Sequence, residues 1–269
     1  MNHKYPWANK DLGQHFLINE SVIEQICGNF FNETEGILEI GPGPGILTEF
    51  LSKTTTPYLV IEKDQRFRPY LEKFIKPEQI VMKDALEVDL QKVLEEHHFP
   101  KENLWVVSNL PYNISVPLTL KFLSTPSLEK MTLMMQKEVA ERIFPEGKKA
   151  LKSMNSLMAL CQTFFSIEKL CPVPPGAFLP PPKVNSTVLS FVRKKDPVFS
   201  LSDIPQLETF FQKLFLQKRK QLGKVLKMNF DASKIEKVLQ EEGIEPQRRS
   251  ETLTLSEVHE LFKKLPKNA

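Results

Sequence analysis

Several residues suited to holding a flat, nitrogen-bearing ligand follow short apolar runs in the sequence. The run that ends at Ile40 is followed by the glycines of EIGPGPG, which allow a tight turn and close approach of the backbone to a ligand. Glu62 in VIEKD, Asp84 in KDAL and Asn109 in SNLPY each follow a further apolar run. Any one of these residues could be a helix cap or a turn residue. Four such positions in succession favour a nucleoside site.

These positions share one location if the apolar runs are strands of a single sheet. The runs alternate with segments whose apolar residues recur at helical spacing, which predicts a parallel sheet with helices on both faces. Sheets of this kind bind ligands at the carboxyl ends of their strands. The five predicted strands are Ile37–Ile40, Tyr58–Ile61, Ile80–Met82, Leu104–Val107 and Met131–Met135.

The kind of nucleoside is narrowed by motifs that the sequence lacks. It contains no GxxxxGK[ST] motif, which disfavours a nucleoside triphosphate, and Ile46 stands where a nicotinamide-binding fingerprint would have glycine. No histidines and cysteines have metal-ligand spacing, so we expect no metal. The pattern fits S-adenosylmethionine, with the glycines near its amino-acid part, Glu62 on the ribose and Asp84 on the adenine.

The SNLPY segment matches the N-x-P-Y pattern of DNA and RNA amino-methyltransferases. In that pattern the amide oxygen of Asn109 and a carbonyl near Pro111 accept hydrogen bonds from an exocyclic amino group, while Tyr112 stacks on the base. Positioning and electrostatics carry the catalysis, because a sulfonium is electrophilic enough to need no general base. The base must leave its stack to reach such a pocket. The proline-rich stretch CPVPPGAFLPPP predicts a rigid loop with Phe178 at its tip, as a candidate second wall.

The C-terminal part differs in composition from the rest. Lys194–Ser202 looks like a linker, and helical segments follow it. The whole net charge of +3 arises after residue 196, where 13 Lys and Arg face 10 Asp and Glu. Such a region attracts phosphates, although on charge alone a solvated helix face is the favoured interpretation. Its densest part, here called the basic cluster, consists of Lys218, Arg219, Lys220, Lys224 and Lys227.

Other bulk features bear on the location of the protein. The cysteines Cys27, Cys161 and Cys171 are widely spaced and odd in number, which argues against a zinc site or a disulfide framework. The N-terminal residues MNHKYPWANKD are too polar for a signal peptide, and no apolar run approaches the ~20 residues that a membrane span needs. We therefore expect a reducing, cytoplasmic setting without a membrane partner.

The combination of motifs resembles one family over nearly the whole chain. From about Lys10 to Leu265 the sequence is similar to the KsgA/RsmA family, the small-subunit ribosomal RNA adenine dimethyltransferases. The combination is far more specific than any single motif. The motifs that carry the resemblance are, in order, KDLGQHFL, EIGPGPG, IEKD, DAL, SNLPYNIS, MMQKEVAERI, VPPGAFLPPPKVNSTV, KRKQL and PQRRSETLTLSE.

The resemblance implies a fold, a reaction and a partner. The fold is α/β, with a Rossmann-like class I S-adenosylmethionine-dependent methyltransferase sheet in residues 1–195 and a small all-α, rRNA-binding domain in residues 196–269. The family transfers four methyl groups to N6 of two adjacent adenosines in a hairpin loop near the 3′ end of 16S rRNA. It acts on a small-subunit assembly intermediate, and we expect a monomer.

The resemblance also assigns roles to residues. The basic cluster would contact the rRNA, so the solvated-face interpretation loses its advantage. The target adenine would be held and stacked by Asn109, Leu110, Pro111, Tyr112 and Phe178. The cofactor would be bound by Gln14, His15, Leu17, Gly41, Gly43, Gly45, Glu62, Asp84, Ala85 and Asn109.

Two departures from the family pattern and two alternatives accompany this interpretation. Lys83 stands where the family usually has glycine, so its side chain either crowds the adenine edge or points outward. The segment GKKALKSMNSL lacks the family's usual Tyr-Gly, which leaves RNA contacts there open.

One alternative is an Erm-type enzyme that modifies a 23S rRNA adenine. It is disfavoured by Tyr112, where those enzymes often have Phe, and by the motif Arg249–Glu251. The other is a non-catalytic, rRNA-binding assembly factor.

Overall fold

A computed structural model describes residues 8–9, 13–217 and 219–265 of the chain. The strands are β1 Phe16–Leu17, β2 Gly36–Ile40, β3 Tyr58–Glu62, β4 Ile80–Met82, β5 Leu104–Asn109, β6 Leu128–Gln136, β7 Phe165–Val173, β8 Phe178–Leu179 and β9 Ser186–Arg193. Seven of them form one sheet in the order β4-β3-β2-β5-β6-β9-β7, and β1 pairs with β8 in a separate two-stranded sheet.

The five strands predicted from apolar runs form the parallel part of the large sheet. β2 pairs in parallel with both β3 and β5, β4 extends the sheet beyond β3, and β6 extends it beyond β5. Every residue of β2 and β3 is buried, as in strands that are covered on both faces. β9 adds to β6 in the antiparallel direction. Because β2 to β5 point the same way, the polar residues that follow them lie along one edge of the sheet.

The helices begin and end largely where capping residues and prolines require. Asn19 caps the first helix by accepting a hydrogen bond from the Val22 N–H at 3.1 Å. Pro69 lies in the first turn of the third helix, where a backbone N–H has no partner within the helix and its absence therefore costs nothing. The helices are α1 Glu20–Gly28, α2 Thr48–Leu51, α3 Arg68–Leu71, α4 Leu90–Glu96, α5 Ser115–Leu123, α6 Lys137–Ile143, α7 Ser156–Phe164, α8 Ile204–Phe215, α9 Leu222–Asn229, α10 Ala232–Glu241 and α11 Leu255–Lys264.

The chain divides into two compact units. The first contains the described residues up to Ala140 together with Ser166–Arg193, and the second contains Glu141–Phe165 together with the described residues from Lys194 onward. The sequence-based boundary between residues 195 and 196 lies two residues beyond the end of the first unit. The structure adds that the segment Glu141–Phe165, which includes α7, belongs with the C-terminal helices.

The second unit contains the helices predicted for the C-terminal part. The predicted N-cap Thr254 accepts a hydrogen bond from the Glu257 N–H, and Glu257 accepts one from the Thr254 N–H, so α11 begins with a capping box. His259 of α11 is buried and lies 2.8 Å from the hydroxyl of Thr163 in α7. Across residues 13–217 and 219–265, we find no helix with the length and apolar character to cross a membrane.

The proline-rich segment differs from its prediction at Phe178. This residue does not stand at the tip of a loop but begins β8, where it pairs with Leu17 of β1. Its side chain is 2% exposed and lies in the same core cluster as Leu17 and Val173, whereas Leu179 is 57% exposed. Successive side chains of a strand point to opposite faces, so with Phe178 in the core the side chain of Leu179 points outward.

Candidate functional site

A cavity of about 300 Å³ opens at the carboxyl ends of β2, β3, β4 and β5. This is the edge at which the parallel sheet was predicted to bind a ligand. Two of the residues predicted to bind the cofactor or the target adenine do not line the cavity: Gly45, which packs behind the turn, and Phe178, which is buried in the core. The predicted residues that do line it are Gln14, His15, Leu17, Gly41, Gly43, Glu62, Asp84, Ala85, Asn109, Leu110, Pro111 and Tyr112.

The glycine turn after β2 leaves open space beside the cavity. Gly41 has a φ of +67°, which favours glycine, and a Cβ added there would meet no atom within 4 Å. Its backbone therefore borders a space into which a ligand can come close. Gly45 has a different role, because a Cβ added there would lie 3.0 Å from the ring of Phe74. Gly41 thus leaves open space beside the cavity, whereas Gly45 allows the turn to pack.

Glu62, at the end of β3, is fixed by backbone donors. Its Oε2 accepts the N–H of Gly43 at 2.9 Å, and its Oε1 accepts the N–H of Asp64 at 2.7 Å. Burial raises the pKa of Glu62 above its usual value, although these two N–H groups oppose the shift. A carboxylate has about four lone-pair sites. Glu62 can therefore still accept hydrogen bonds from two hydroxyl groups of a ligand.

Asp84, beyond the end of β4, is held mainly by a side chain. Its Oδ2 lies 2.6 Å from the ammonium of Lys63, which is 59% exposed, and its Oδ1 accepts the Leu86 N–H at 2.8 Å. Partial burial acts to raise the pKa of Asp84, but Lys63 and the Leu86 N–H outweigh it and keep that pKa below its usual value. Lys83 lines the cavity with an exposed side chain. Among the described residues, we find no hydrogen bond or ion pair to the side chain of Lys83.

Asn109 ends β5 with its amide oriented by a backbone carbonyl. Asn109 lines the cavity, and its Nδ2 donates to the carbonyl oxygen of His15 at 3.1 Å, which leaves Oδ1 as the acceptor of the amide. The next residue, Leu110, is 1% exposed, and its N–H donates to the carbonyl of Met134 in β6 at 3.0 Å. The NLPY segment is therefore anchored on both sides, by the N-terminal segment and by the neighbouring strand.

Tyr112 is held at both its hydroxyl and its ring. The hydroxyl lies 2.7 Å from the Oγ of Ser186, and the ring stacks on His15 with centroids 5.7 Å apart and planes at 27°. The Nδ1–H of His15 donates to the carbonyl of Pro180 at 2.8 Å. Burial raises the pKa of Tyr112, so its hydroxyl stays protonated near neutral pH.

Glu39 lies beneath the glycine turn and is almost completely buried. One of its oxygens, Oε2, accepts hydrogen bonds from the hydroxyls of Thr48, at 2.7 Å, and of Tyr58. Burial raises the pKa of Glu39 to about 7, even though both hydroxyls oppose the shift. These bonds join the end of β2 to β3 and to the first residue of α2, so Glu39 fixes the frame of the turn.

Comparison with known proteins places this chain in a family. The family model described as Ribosomal RNA adenine dimethylase matches residues 7–267. The chain belongs to the ribosomal RNA adenine dimethylase family. This membership confirms the resemblance and the enzyme class that the sequence motifs predicted.

Two relatives named Ribosomal RNA small subunit methyltransferase A illustrate the similarity. The protein from Staphylococcus carnosus (strain TM300) is 33% identical over 96% of this chain and 90% of its own length. The protein from Malacoplasma penetrans (strain HF-2) is 36% identical over 92% of this chain and 88% of its own length. The similarity therefore covers nearly the full length of both proteins.

Two solved structures share the fold. A dimethyladenosine transferase from Plasmodium falciparum has a TM-score of 0.75 and 24% sequence identity. The alignment covers 92% of this chain and 96% of the transferase chain. The 23S rRNA methyltransferase ErmE has a TM-score of 0.70 and 22% sequence identity. That alignment covers 93% of this chain and 99% of the ErmE chain. Together with the parallel sheet and the helical C-terminal region, this likeness confirms the predicted Rossmann-like methyltransferase fold.

In this member of the dimethylase family, the basic cluster lies in the second unit. Lys218 falls outside the described residues. Arg219 and Lys220 precede α9, and Lys224 and Lys227 belong to it, all four with exposed side chains. Lys227 is paired with Glu236 of α10 at 2.8 Å. The assignment of these residues to rRNA contacts stays a prediction.

Two residues that shape the site of this dimethylase were missed in the sequence. Lys63, which pairs with Asp84, directly follows Glu62 in VIEKD, and its position after a strand end was a usable signal. Ser186, which holds the hydroxyl of Tyr112, begins β9 within NSTV. A serine at the start of a strand carries no signal of such a partner, because the contact joins segments 74 residues apart.

Proposed function

We propose that this enzyme transfers methyl groups from S-adenosylmethionine to N6 of two adjacent adenosines in a hairpin loop near the 3′ end of 16S rRNA. The products are N6,N6-dimethyladenosines, and the substrate is a small-subunit assembly intermediate. Family membership supports the reaction class, and the names of the relatives support the small subunit as the target. The observation that carries the proposal is Asn109, which lines the cavity and has its amide fixed by donation from Nδ2 to His15, so that Oδ1 is the acceptor it can offer.

The residues at the strand ends fit S-adenosylmethionine. Glu62 would accept hydrogen bonds from the two ribose hydroxyls at the lone pairs that its backbone partners leave. Asp84 would accept one from the adenine amino group, in competition with Lys63. The open space beside Gly41 would receive the amino-acid part. When bound, the cofactor supplies an electrophilic methyl group on a sulfonium sulfur.

Asn109 and Leu110 would bind and orient the target amino group. The Oδ1 of Asn109 and the carbonyl oxygen of Leu110 would accept the N6 hydrogens of an adenine that has left its stack. Two acceptors placed out of the ring plane withdraw the nitrogen lone pair from conjugation and so make N6 a nucleophile. No side chain has to remove a proton from N6 before the attack, so hydrogen-bond acceptors are sufficient and no general base is needed.

Tyr112 would stack on the target adenine, with its ring fixed by Ser186. In the structure His15 lies against that ring, so the base would have to share or displace this contact. The role of Phe178 as the second wall stays a prediction. Its ring is 2% exposed, so it would have to leave the core to reach a base. Arg219, Lys220, Lys224 and Lys227 would neutralise rRNA phosphates.

The test uses purified full-length enzyme, S-adenosylmethionine and ribosomal particles from cells whose rRNA lacks these methyl groups. Small-subunit particles and large-subunit particles are incubated separately, and the rRNA nucleosides are measured by mass spectrometry. We expect N6,N6-dimethyladenosine in 16S rRNA, approaching two residues per particle. The Asn109→Ala variant should bind the particles without methylating them.

Two other outcomes would replace this proposal. Methylation confined to 23S rRNA would make the protein an Erm-type enzyme. Tight binding to small-subunit particles, with no methyl transfer to either substrate, would make it an assembly factor that has lost catalysis.

A further inference from the structure

A second cavity, of about 420 Å³, lies in the second unit between α9, α10 and residues 244–247. Its volume falls within the range of sites for small molecules and nucleotides. We propose that this cavity, here called the α9–α10 pocket, binds one unstacked nucleotide of the rRNA substrate. The inference rests on the proposed function and extends it to a nucleotide site outside the methylation site.

The walls of the α9–α10 pocket are fixed by backbone hydrogen bonds. The N–H of Leu222 donates to the carbonyl of Arg248 at 2.7 Å, and the N–H of Gly223 donates to that of Pro246 at 2.9 Å. A Cβ added to Gly223 would lie 3.0 Å from the Cβ of Pro246, so the two segments approach closely. The N–H of Ile244 donates to the carbonyl of Leu239 at 2.9 Å and joins the same segment to α10. A preformed pocket loses little conformational freedom when a ligand binds.

The floor of the pocket is apolar. Ile235, Leu239 and Ile244 line it and are at most 4% exposed, and the ring of Pro246 borders it at the surface. Apolar side chains of this kind cover the face of a base that has left its stack. The floor therefore suits a flat ring better than a charged or fully hydrated group.

The rim of the pocket carries amides that can read the edge of a base. Gln221, Gln240 and Gln247 line the pocket with exposed side chains. Within the part of the chain that the structure describes, we find no hydrogen-bond partner for any of these three amides. Each amide offers a donor and an acceptor together, which is the arrangement that pairs with base edges. A nucleobase uses both functions, whereas a phosphate uses only donors.

The charges at the rim favour a nucleotide over an acidic peptide. Lys224 lines the pocket, and no described residue pairs with its ammonium. Lys227 pairs with Glu236 across the mouth at 2.8 Å. The ammonium of Lys224 would hold a phosphate, and Glu236 could accept the amino hydrogens of a base. The carboxylates of an acidic peptide offer only acceptors and would leave Glu236 without a donor, whereas a nucleotide brings both a phosphate and amino hydrogens.

The test fills the pocket without changing any charge. Gln247→Trp places an indole over the apolar floor, and Gln212→Trp makes the same exchange on the exposed surface of α8 as a matched control. Both side chains are exposed, so both variants should fold, which circular dichroism and cofactor affinity can verify. The measured quantity is the Kd of the full-length protein for unmethylated small-subunit particles. We expect Gln247→Trp to weaken binding about tenfold, and Gln212→Trp to stay within about twofold of the wild type.

A second measurement locates the nucleotide directly. The complexes with small-subunit particles are cross-linked with ultraviolet light and digested, and nucleotide adducts are mapped by mass spectrometry. We expect adducts on the peptides that contain residues 221–227 or 240–247. These adducts should disappear in Gln247→Trp and persist in Gln212→Trp.

Several results would overturn the α9–α10 pocket as a nucleotide site. Equal or tighter binding by Gln247→Trp would do so, as would adducts that the variant leaves unchanged, or a cross-link from the pocket to a ribosomal protein. The methyl content of the same wild-type samples is measured in parallel. Failure of the proposed function would show as absent methylation, whereas failure of this inference alone would leave two dimethyladenosines per particle.

Discussion

The inner side of the cavity at the strand ends, next to β3 and β5, differs from its outer side, next to β4, in how polar groups are held. On the inner side, Glu62 accepts two backbone N–H groups and Asn109 donates to a backbone carbonyl. On the outer side, Asp84 takes one backbone N–H and one ammonium from the largely exposed Lys63. The inner groups are thus positioned by the chain itself, whereas the outer carboxylate depends partly on an exposed side chain.

This difference has an energetic meaning. Groups fixed by the backbone are preorganised, so a ligand gains their full interaction without ordering them first. An exposed ion pair contributes little, because water competes with both charges. We therefore expect substitutions on the inner side to cost more than substitutions on the outer side.

The largest effect is expected at Asn109, on the inner side. Asn109→Ala removes the acceptor proposed for the target N6 and the bond to the His15 carbonyl. Loss of one such preorganised group costs about 10²- to 10³-fold in kcat, and we expect a loss of at least about 100-fold. Single-turnover methylation of small-subunit particles measures it. Asn32→Ala, at an exposed turn of the same unit, is the control and should retain the wild-type rate.

The next effect compares the two carboxylates directly. In Glu62→Gln the amide keeps one acceptor but turns an NH₂ group toward a backbone N–H, so one of the two anchoring bonds is lost. We expect a loss of about 10- to 100-fold in affinity for S-adenosylmethionine, and only about 3- to 10-fold for Asp84→Asn. Calorimetric titration of both variants gives the order. A larger loss for Asp84→Asn would reverse the ranking of the two sides.

A smaller effect on stability is expected at Glu39, beneath the inner side. Its pKa is raised by burial from 4.5 to about 7, so the folded chain binds this proton more tightly than the unfolded chain. The stabilisation is therefore full below about pH 4.5 and is lost as the pH rises through 7. Over that range the wild type should lose on the order of 1–3 kcal/mol relative to Glu39→Gln, which cannot titrate.

Urea unfolding of both chains at several pH values checks this prediction. The quantity compared is the slope of the unfolding free energy with pH, because the substitution also changes its absolute level. Titrating groups that do not interact with Glu39 are common to both chains and cancel in the difference, whereas Cys27 and Tyr58, whose pKa values Glu39 helps to raise, titrate above this range. Parallel slopes would mean that Glu39 stays ionised in the fold.

The strand ends were predictable because they follow from local rules. Apolar runs of strand length alternate with amphipathic segments, and parallel strands must end at one edge. That reasoning placed Glu62, Asp84 and Asn109 around one cavity, where the structure has them. The same reasoning could not predict the amide orientation of Asn109, because that orientation depends on the carbonyl of His15, 94 residues away in the chain.

The orientation of Phe178 shows why other parts were not predictable. The prolines around it indicate a stiff backbone, but they do not say which face of a strand the ring occupies. That face depends on how β8 packs beside β1, far away in sequence, and no local pattern gives it. Lys63 was missed for a related reason, because its partner Asp84 lies beyond the end of the next strand, 21 residues away in the chain.

The smallest effect is expected at Lys63, and it tests the outer side most sharply. Lys63→Met frees the Oδ2 of Asp84 while the Leu86 N–H still holds Oδ1. If the ion pair only competes with the cofactor, affinity for S-adenosylmethionine should rise by at most about threefold. Lys92→Met, which removes an exposed ion pair of α4, should leave that affinity unchanged. A loss of more than about tenfold for Lys63→Met would mean that the ammonium itself binds the cofactor. The outer side would then contribute to ligand binding as directly as the inner side does, despite its exposed partner.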